Sequence, residues 1–239
     1  MKTALITGGA ARIGAQIVRT LHENGYKVII HCHQSEEIAQ ALCRELNSKR
    51  NSSAQVVVAD LGDNEAIKKL TQTIKSLDLL VNNASVFYPT STENSTIEDW
   101  DKIININLRA PFFITTELNK VLAVSEGSIV NIIDIHSDRP LKNHSIYNIS
   151  KAGLKMLTKT LAKELAPNIR VNGVSPGSIL WPQDLAALSE EEKLNMLDRI
   201  ALNKQGSTED IAEAVLFLAN AKYITGEVIN IDGGRSLNQ

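Results

Sequence analysis

The chain has 239 residues, of which 43% are hydrophobic and 4% aromatic, and its formal net charge is −2. This length and apolar content permit a sizeable buried core. The charge gives no electrostatic basis for binding nucleic acid or an anionic membrane, and the few aromatic residues disfavour stacking on single strands. No apolar run approaches the about 20 residues that span a bilayer, and no signal peptide is recognisable, so we expect a cytoplasmic protein.

Short β-rich runs alternate with helical patterns along the chain. The predicted strands are Thr3–Thr7, Lys27–Cys32, Ala54–Ala59, Leu77–Asn82, Ser128–Ile133, Ile169–Val174 and Val228–Ile231. Several of these runs are continuously apolar, which is typical of strands buried on both faces of a parallel sheet. The alternation predicts an α/β fold with right-handed crossovers. Because there is no linker or repeat, we expect one domain over residues 1–239.

A glycine-rich turn follows the first predicted strand and opens a helix. It reads TGGAARIG from Thr7 to Gly14, and Arg12 stands where a third glycine is often found. Glycines permit a tight turn and close backbone approach, and a helix N-terminus there can face a pyrophosphate. Gly8, Arg12, Ile13 and Gly14 are therefore predicted to bind a dinucleotide.

The second predicted strand ends in the sequence HCHQS, and the first acidic residue after it is Glu36. An acidic side chain at this place would hold the ribose 2′-OH of NAD and repel a 2′-phosphate. The donors of His33, Gln34 and Ser35, with Arg12 nearby, favour a phosphate instead. The sequence therefore predicts NADPH over NADH, and Ser35 is also the expected N-cap of the next helix.

The same histidines do not form a metal site in our interpretation. In a strand, His31 and His33 would share one face while Cys32 points to the other. No second pair of ligands stands at a useful spacing, so we predict no bound metal.

Two further strand ends carry candidate cofactor contacts. Asp60 and Leu61 end the third strand, where a carboxylate can accept from an adenine amino group. Asn83, Ala84 and Ser85 follow the fourth, where small residues let the backbone approach a ligand. Each of these runs is also compatible with an ordinary turn that ends a strand.

A tyrosine, a lysine and an aspartate carry the catalytic prediction. Lys151 follows Tyr147 by four residues, and Asp134 precedes Tyr147 by thirteen. On a helix, positions four apart share a face, so the ammonium is expected to lower the pKa of the phenol and make it a proton donor. A Tyr-x-x-x-Lys pair taken alone also occurs by chance on many helices.

Taken together, the ordered motifs resemble the short-chain dehydrogenase/reductase family over essentially the whole chain. The motifs are Thr7-Gly8, Asn82-Asn83-Ala84, Asn107 in NIN, Tyr147-x-x-x-Lys151, Pro176-Gly177 and Asp232-Gly233-Gly234. The resemblance implies a Rossmann arrangement, a seven-stranded parallel sheet with helices on both faces. It implies a catalytic Asn107, Tyr147 and Lys151, with Lys151 also on the nicotinamide ribose. It further implies a nicotinamide pocket lined by Pro176, Gly177 and Ser178, and a homotetramer formed by helices around Ile97–Val121 and Ser145–Leu165.

Asp134 stands where the family usually has serine. Reduction of a ketone develops negative charge on oxygen, which a hydroxyl stabilises and an ionised carboxylate repels. A carboxyl group is better suited to hydrogen-bonding Tyr147 and to a substrate that carries N–H donors. Asp134 therefore favours hydride addition to a C=N bond, although it is also compatible with a structural role at a strand end.

The departures from the general family pattern resemble one subgroup. Arg12, the HCHQS strand end, the run from Ala84 to Thr90, and Asp134 are similar to pteridine reductases and bacterial dihydromonapterin/dihydrofolate reductases. The resemblance implies that Phe87 stacks on a pterin held against the nicotinamide, and that Ser85 and Arg12 reach polar pterin or phosphate groups. As an alternative, Phe87 could be a packing aromatic.

The resulting hypothesis is an NADPH-dependent pteridine reductase acting on a pterin or folate. Tyr147, supported by Lys151 and Asp134, would supply the proton, and Asn107 would hold a water in the relay. The region Ser178–Leu202 would form a lid over the site. The alternatives are a carbonyl or 3-oxoacyl reductase of the same family and a non-catalytic NADPH-binding regulator.

Overall fold

The computed structural model describes residues 1–179 and 190–237, and for residues 190–193 the backbone alone. Its strands are β1 (Thr3–Ile6), β2 (Lys27–Cys32), β3 (Ala54–Val58), β4 (Leu79–Asn82), β5 (Ser128–Ile132), β6 (Arg170–Pro176) and β7 (Val228–Ile231). Its helices are α1 (Arg12–Glu23), α2 (Glu36–Lys49), α3 (Asn64–Gln72), α4 (Ile97–Ile104), α5 (Ala110–Val124), α6 (Ser145–Glu164), α7 (Glu190–Leu197) and α8 (Thr208–Asn220). A π-helical turn, Asn105–Arg109, joins α4 to α5, and 3-10 turns lie at Ile135–Ser137 and Arg235–Leu237.

The described strands form one seven-stranded sheet in the order β3-β2-β1-β4-β5-β6-β7, and every pairing is parallel. The sheet is buried on both faces because neighbouring side chains along a strand point in opposite directions. Ala4 and Ile6 of β1 enter one core cluster, whereas Leu5 enters the other. The predicted α/β architecture is therefore confirmed.

Helices cover both faces of the sheet. The first core cluster is built with apolar residues of α1, α2 and α8, and the second with those of α3, α5 and α6. Capping boxes begin α4 and α8, where Thr96 pairs with Asp99 and Ser207 pairs with Asp210. These caps satisfy backbone N–H groups that a helix leaves free at its start. Within the described ranges, no helix is long and apolar enough to cross a membrane.

Some strand limits differ from the predicted ones. The largest difference is in β6, which extends to Pro176 rather than ending at Val174. Pro176 pairs in register with Ile231 of β7, and the next residue, Gly177, donates its backbone N–H to the Ile231 carbonyl at 3.0 Å. The missing N–H of a proline costs little at the last position of a strand.

The order of the strands reverses between β1 and β4. In open parallel sheets, ligands bind beyond the carboxyl ends of the strands at such a point. One side chain connects the two strand ends here: Thr7 Oγ accepts from the backbone N–H groups of Asn83 and Ala84 at 2.9 and 3.0 Å. The fold thus brings the glycine-rich turn and the Asn83–Ser85 run to one crevice.

Candidate active site

The glycine-rich turn has the backbone shape that a dinucleotide site needs. Gly8 has a φ of +61°, and Arg12 opens α1 with a φ of +53°. A Cβ atom on Gly14 would lie 2.1 Å from the Gly8 carbonyl oxygen, so a side chain there is excluded. α1 has no acidic residue in its first turn and no side-chain cap, so its N-terminal N–H groups can face an anion. Ile13, the remaining predicted residue of the turn, is half-buried against the first core cluster.

His31 fixes the position of the glycine-rich turn through a hydrogen bond to its backbone. Its Nδ1 accepts from the Gly8 N–H at 3.1 Å, and its Nε2 donates to the Ala59 carbonyl at 3.1 Å. Burial lowers the pKa of His31 to about 4, so the ring is neutral near pH 7. The expectation that His31 and His33 share a strand face was wrong, because β2 ends at Cys32 and His33 is exposed beyond it.

The side chains predicted to select the cofactor lie open to solvent or nearly so. His33, Gln34 and Arg12 are exposed, and Ser35 is the N-cap of α2 but makes no side-chain capping bond. Its hydroxyl therefore remains available to a ligand.

After β3, Asp60 is exposed and its Oδ1 accepts from the Gly62 N–H at 2.8 Å, as expected for a turn that ends a strand. Leu61 beside it is buried in the second core cluster, so only its backbone can face a cofactor.

Asn83 acts on the turn rather than outward. Its Nδ2 donates to the carbonyl oxygens of Thr7 and Gly8 at 2.9 and 3.0 Å. The side chain predicted to contact the cofactor therefore fixes the peptide groups that would do so. Ala84 is half-buried and Ser85 is exposed directly after it.

The predicted catalytic side chains meet at the start of α6. The Tyr147 hydroxyl donates to Asp134 Oδ2 at 2.7 Å, and Asp134 Oδ1 accepts from the His136 N–H at 2.8 Å. Lys151 Nζ donates to the Ile132 carbonyl at 3.0 Å and lies 5.7 Å from the centroid of the Tyr147 ring. Tyr147 and Lys151 are both buried.

The expected lowering of the tyrosine pKa was wrong. Burial raises the pKa of Tyr147 well above its usual value, and the charge of Asp134 and its hydrogen bond raise it further. Burial also lowers the pKa of Lys151 to about 8, with Asp134 acting in the opposite direction. The helical spacing predicted that Tyr147 and Lys151 are neighbours. It could not predict whether burial or the nearby charges would dominate the pKa of Tyr147. The phenol is therefore protonated near neutral pH, and its raised pKa makes it a weaker acid than a free tyrosine.

Asn107 has no side-chain capacity left for a water molecule. Its Nδ2 donates to the Val86 carbonyl and to Ser150 Oγ at 3.0 and 3.1 Å. Its Oδ1 accepts from the Val86 N–H and Ser85 Oγ at 2.8 and 3.1 Å. A carboxamide offers two donors and two lone pairs, and all four are used here. The carboxamide therefore ties the run after β4 to α6, and the water expected at Asn107 stays a prediction that this side chain does not serve.

Phe87 stands beside Tyr147, the predicted catalytic tyrosine, and is not a core residue, since 55% of it is exposed. Its ring stacks on His144, with centroids 4.7 Å apart and planes 14° apart. It also meets Tyr147 edge to face at 4.8 Å. His144 Nδ1 donates to the Lys142 carbonyl at 2.9 Å, which fixes the imidazole. The result is an aromatic wall that adjoins the phenol.

The nicotinamide end predicted from Pro176 and Gly177 is closely packed. A Cβ atom on Gly177 would lie 2.6 Å from the Cβ of Asp232. Ser178 donates to Met196 Sδ at 3.4 Å and its carbonyl accepts from the Gly206 N–H. These contacts place Ser178, the first residue of the expected lid, beside Met196 of α7 and Gly206.

Of the lid prediction, residues 180–189 lie outside the described residues, and the described remainder contains α7. In the described part of the chain, no group of three or more His, Cys, Asp or Glu side chains could hold a metal ion.

Four functional contributors were not predicted: Thr7, His31, His144 and Ser150. Their partners are far away in the chain: Thr7 contacts residues 83 and 84, and Ser150 contacts Asn107. His144 alone had a local signal, because it immediately precedes α6 and lies three residues before Tyr147.

Comparison with known proteins gives several full-length similarities. A family model described as enoyl-(acyl carrier protein) reductase matches residues 8–236. Pteridine reductase 1 of Leishmania tarentolae is 34% identical over 282 residues, covering 99% of this chain and 96% of that protein. The 3-oxoacyl-(acyl-carrier-protein) reductase FabG of Aquifex aeolicus (strain VF5) is 38% identical over 241 residues, covering 98% and 96%. A solved structure of a blue fluorescent protein from a metagenomic library, in complex with NADPH, has a TM-score of 0.90 and 31% identity, covering 98% of this chain and 97% of that one.

Proposed function

The chain belongs to the short-chain dehydrogenase/reductase family, and from that premise we propose that it is an NADPH-dependent reductase of a pterin C=N bond. The substrates would be a dihydropterin such as dihydromonapterin, or dihydrofolate, each taken to its tetrahydro form. The similarity to a pteridine reductase over 99% of the chain supports this substrate class.

The residues at the β1–β4 crevice fit NADPH. The absence of a side chain at Gly14, where a Cβ would meet the Gly8 carbonyl, lets the turn pack tightly against the start of α1, and that turn would present backbone N–H groups to a pyrophosphate. Arg12, His33 and Ser35 would hold the 2′-phosphate, and Lys151 the nicotinamide ribose. NADPH, when bound, supplies the hydride. The NADPH complex of the blue fluorescent protein, at 31% identity, supports this assignment.

In the proposed mechanism, this chain's own residues hold the ring and deliver a proton. Phe87 stacks on one face of the flat heterocycle, backed by His144. Tyr147 is protonated near neutral pH and would donate its proton toward the nitrogen of the reduced bond, a step that its raised pKa opposes. The Lys151 ammonium stabilises the negative charge that then develops on the phenol oxygen.

The hydrogen bond between Tyr147 and Asp134 carries the proposal. At 2.7 Å it makes the carboxylate the partner of the phenol, in the place where a hydroxyl would otherwise assist it. A carboxylate repels a developing ketone oxyanion but accepts N–H groups of a pterin. The pair therefore favours a nitrogen heterocycle over a ketone.

Rates of NADPH oxidation with two substrates test the proposal. We expect turnover of dihydrobiopterin or dihydromonapterin to exceed that of an acetoacetyl thioester, and Asp134→Ser to reduce the preference for the pterin. A clear preference of the unmodified enzyme for the thioester would refute the pterin assignment.

That outcome would support the second candidate, a 3-oxoacyl reductase. The similarity to 3-oxoacyl reductases at 38% identity favours this function. The general family motifs are common to pteridine reductases and 3-oxoacyl reductases, whereas Asp134 and Phe87 oppose the 3-oxoacyl reductase function. A non-catalytic regulator is distinguished by Tyr147→Phe, which should abolish turnover of the enzyme while leaving NADPH affinity nearly intact; absence of any turnover in the unmodified protein would favour the regulator.

Titration of the two dinucleotides tests the cofactor assignment. NADPH should bind more tightly than NADH because exposed donors, rather than an acid, follow β2. Equal affinities would refute the roles of His33 and Ser35.

We also propose a homotetramer that buries faces of α4, α5 and α6. Large apolar side chains on these helices are exposed in the single chain: Trp100, Phe112, Phe113, Ile149 and Met156. Light scattering should give four times the 26.2 kDa mass of the chain, and a monomer would contradict this assembly.

A further inference from the structure

Three arginines from separate segments converge beyond the carboxyl ends of β5, β6 and β7. Arg139 lies in the connection between β5 and α6, Arg235 lies in the turn after β7, and Arg199 lies two residues after the end of α7. Arg139 Nη1 donates to the backbone carbonyl of Arg235 at 2.6 Å. This bond holds the β5–α6 connection against the C-terminal turn.

The turns that carry these arginines are themselves fixed. Asp232 accepts from the backbone N–H groups of Gly234 and Ser236 at 2.9 and 2.7 Å, which shapes the C-terminal turn. The segment after α7 is joined to the same turn, because the Leu202 N–H donates to the Gly233 carbonyl at 3.0 Å. Backbone contacts therefore hold the segments of Arg199 and Arg235 together.

The charges within the cluster oppose one another. Burial lowers the pKa of Arg235, the positive charges of Arg139 and then Arg199 lower it further, and Asp232 acts in the opposite direction. Both oxygens of Asp232 already accept backbone hydrogen bonds. The guanidinium of Arg235 makes no hydrogen bond to any residue among those the structure describes. An anion beside Arg139 and Arg235 would relieve the repulsion between them and accept from the guanidinium of Arg235.

The cluster adjoins the reduction site rather than the pyrophosphate site. Arg139 follows Asp134 by five residues, and Gly177 at the end of β6 contacts Asp232. The glycine-rich turn, by contrast, lies at β1, three strand positions from β6 in the sheet.

We propose that Arg139, Arg199 and Arg235 bind an anionic substituent of the substrate, a carboxylate or phosphate carried on a side chain of the reduced heterocycle. This inference rests on the proposed function and narrows its substrate class. The planar guanidinium fork matches both anions. The enzyme accordingly favours a pterin with a charged tail over the same ring with a neutral one.

Steady-state kinetics with three probes test the cluster: dihydrofolate, dihydroneopterin phosphate and dihydrobiopterin share the ring but carry carboxylates, a phosphate and a neutral tail. We expect Arg235→Gln to raise KM for at least one of the charged probes about tenfold and to leave KM for dihydrobiopterin within about twofold. Arg235→Gln is the cleanest variant because its side chain has no hydrogen bond to lose. Arg44→Gln, on the exposed side of α2, is the matched control and should change none.

The charged probe with the larger increase identifies the anion. Added salt should raise KM for that probe more than for dihydrobiopterin. Arg139→Gln should give the same selectivity as Arg235→Gln. Turnover of all three probes with no selective change in either variant would overturn the arginine site alone. Failure of the unmodified enzyme with every pterin would overturn the proposed function instead.

Discussion

At the scale of single residues, the surroundings of Tyr147 and Lys151 determine their pKa values more than the residue types do. Tyr147 is buried against a carboxylate, so its proton is retained; Lys151 is buried too, so its own proton is held less firmly. The two shifts act in opposite directions. Near neutral pH the phenol is a neutral donor and the amine is still charged.

The lysine predicts a pH limit on turnover. Its pKa of about 8 means that the ammonium is lost as the pH rises through that value. The negative charge left on Tyr147 would then be unsupported, so kcat should fall above about pH 8. Measurement of kcat at saturating substrate from pH 6 upward, with circular dichroism to confirm folding, checks this. A rate that stays level through pH 9.5 would contradict it.

His144 offers a second prediction because its ring makes two separable contacts. His144→Phe keeps the stack on Phe87 and loses the bond to the Lys142 carbonyl, whereas His144→Asn loses the stack. We expect KM for a pterin to rise about fivefold in His144→Asn, in line with the strength of aromatic pairs. kcat should change little, and His144→Phe should stay near the unmodified value.

The reverse order, with Phe worse than Asn, would show that the bond to Lys142 matters and the stack does not. Equal KM values in both variants and the unmodified enzyme would remove His144 from the site.

The residues that were predicted correctly in place were not always correct in role. The spacing of Asp134, Tyr147 and Lys151 predicted a meeting that the structure contains. Asn107 was assigned a water because its partners, 21 and 43 residues away in the chain, cannot be read from local sequence. His31 was passed over because only the register of β2 shows that its ring reaches Gly8.

At the scale of elements, the glycine-rich turn gives the sharpest structural prediction. Gly14→Ala would place a Cβ 2.1 Å from the Gly8 carbonyl and 2.6 Å from Asn83 Nδ2. The turn must open, so the NADPH dissociation constant should rise about tenfold or more. Fluorescence titration with NADPH measures it.

The control for this change is Gly25→Ala. Gly25 has a φ of +87° and nothing within 4 Å of an added Cβ, so the substitution should lower stability by about 1 kcal/mol and leave NADPH affinity unchanged. Equal effects of the two variants on NADPH binding would mean that general strain, and not the shape of the turn, is responsible.

Most strands and their order along the chain could be predicted, because apolar runs between helical patterns are a strong signal for buried parallel strands. The π-helical turn at Asn105–Arg109 could not. The extra residue of this turn depends on packing against α6. The side chain of Leu108 lies so close to Gly153 of α6 that a Cβ atom added to Gly153 would be 2.7 Å from it. Such contacts between distant helices leave no periodic trace in the sequence.

At the scale of the whole molecule, His31 couples the dinucleotide crevice to stability. Its pKa is lowered from 6.5 to about 4, so between these values the unfolded chain binds a proton that the folded chain does not. Above about pH 6.5 the His31 ring is neutral in both the folded and the unfolded chain, so the full free energy of unfolding is retained there. It should decrease by up to about 1.4 kcal/mol per unit as the pH falls toward 4.

Urea unfolding at several pH values checks this coupling. His31→Gln should have a shallower pH slope than the unmodified protein, because the titrating ring is gone. His33→Gln, at the exposed position two residues on, is the matched control; it removes only the smaller effect of the His33 charge on the pKa of His31, so most of the original slope should remain. Identical slopes in all three proteins would contradict the role of His31.

Because all four hydrogen-bonding positions of the Asn107 side chain are used, this residue also limits where amino-acid substitutions are tolerated. Aspartate would remove two donors, serine would be too short, and glutamine would overshoot, so no single replacement restores the four bonds that join the run after β4 to α6. That joint is therefore closed to gradual variation. If the proposed function holds, substitutions that alter substrate choice should instead be tolerated at Phe87, which is exposed, and at the adjoining His144.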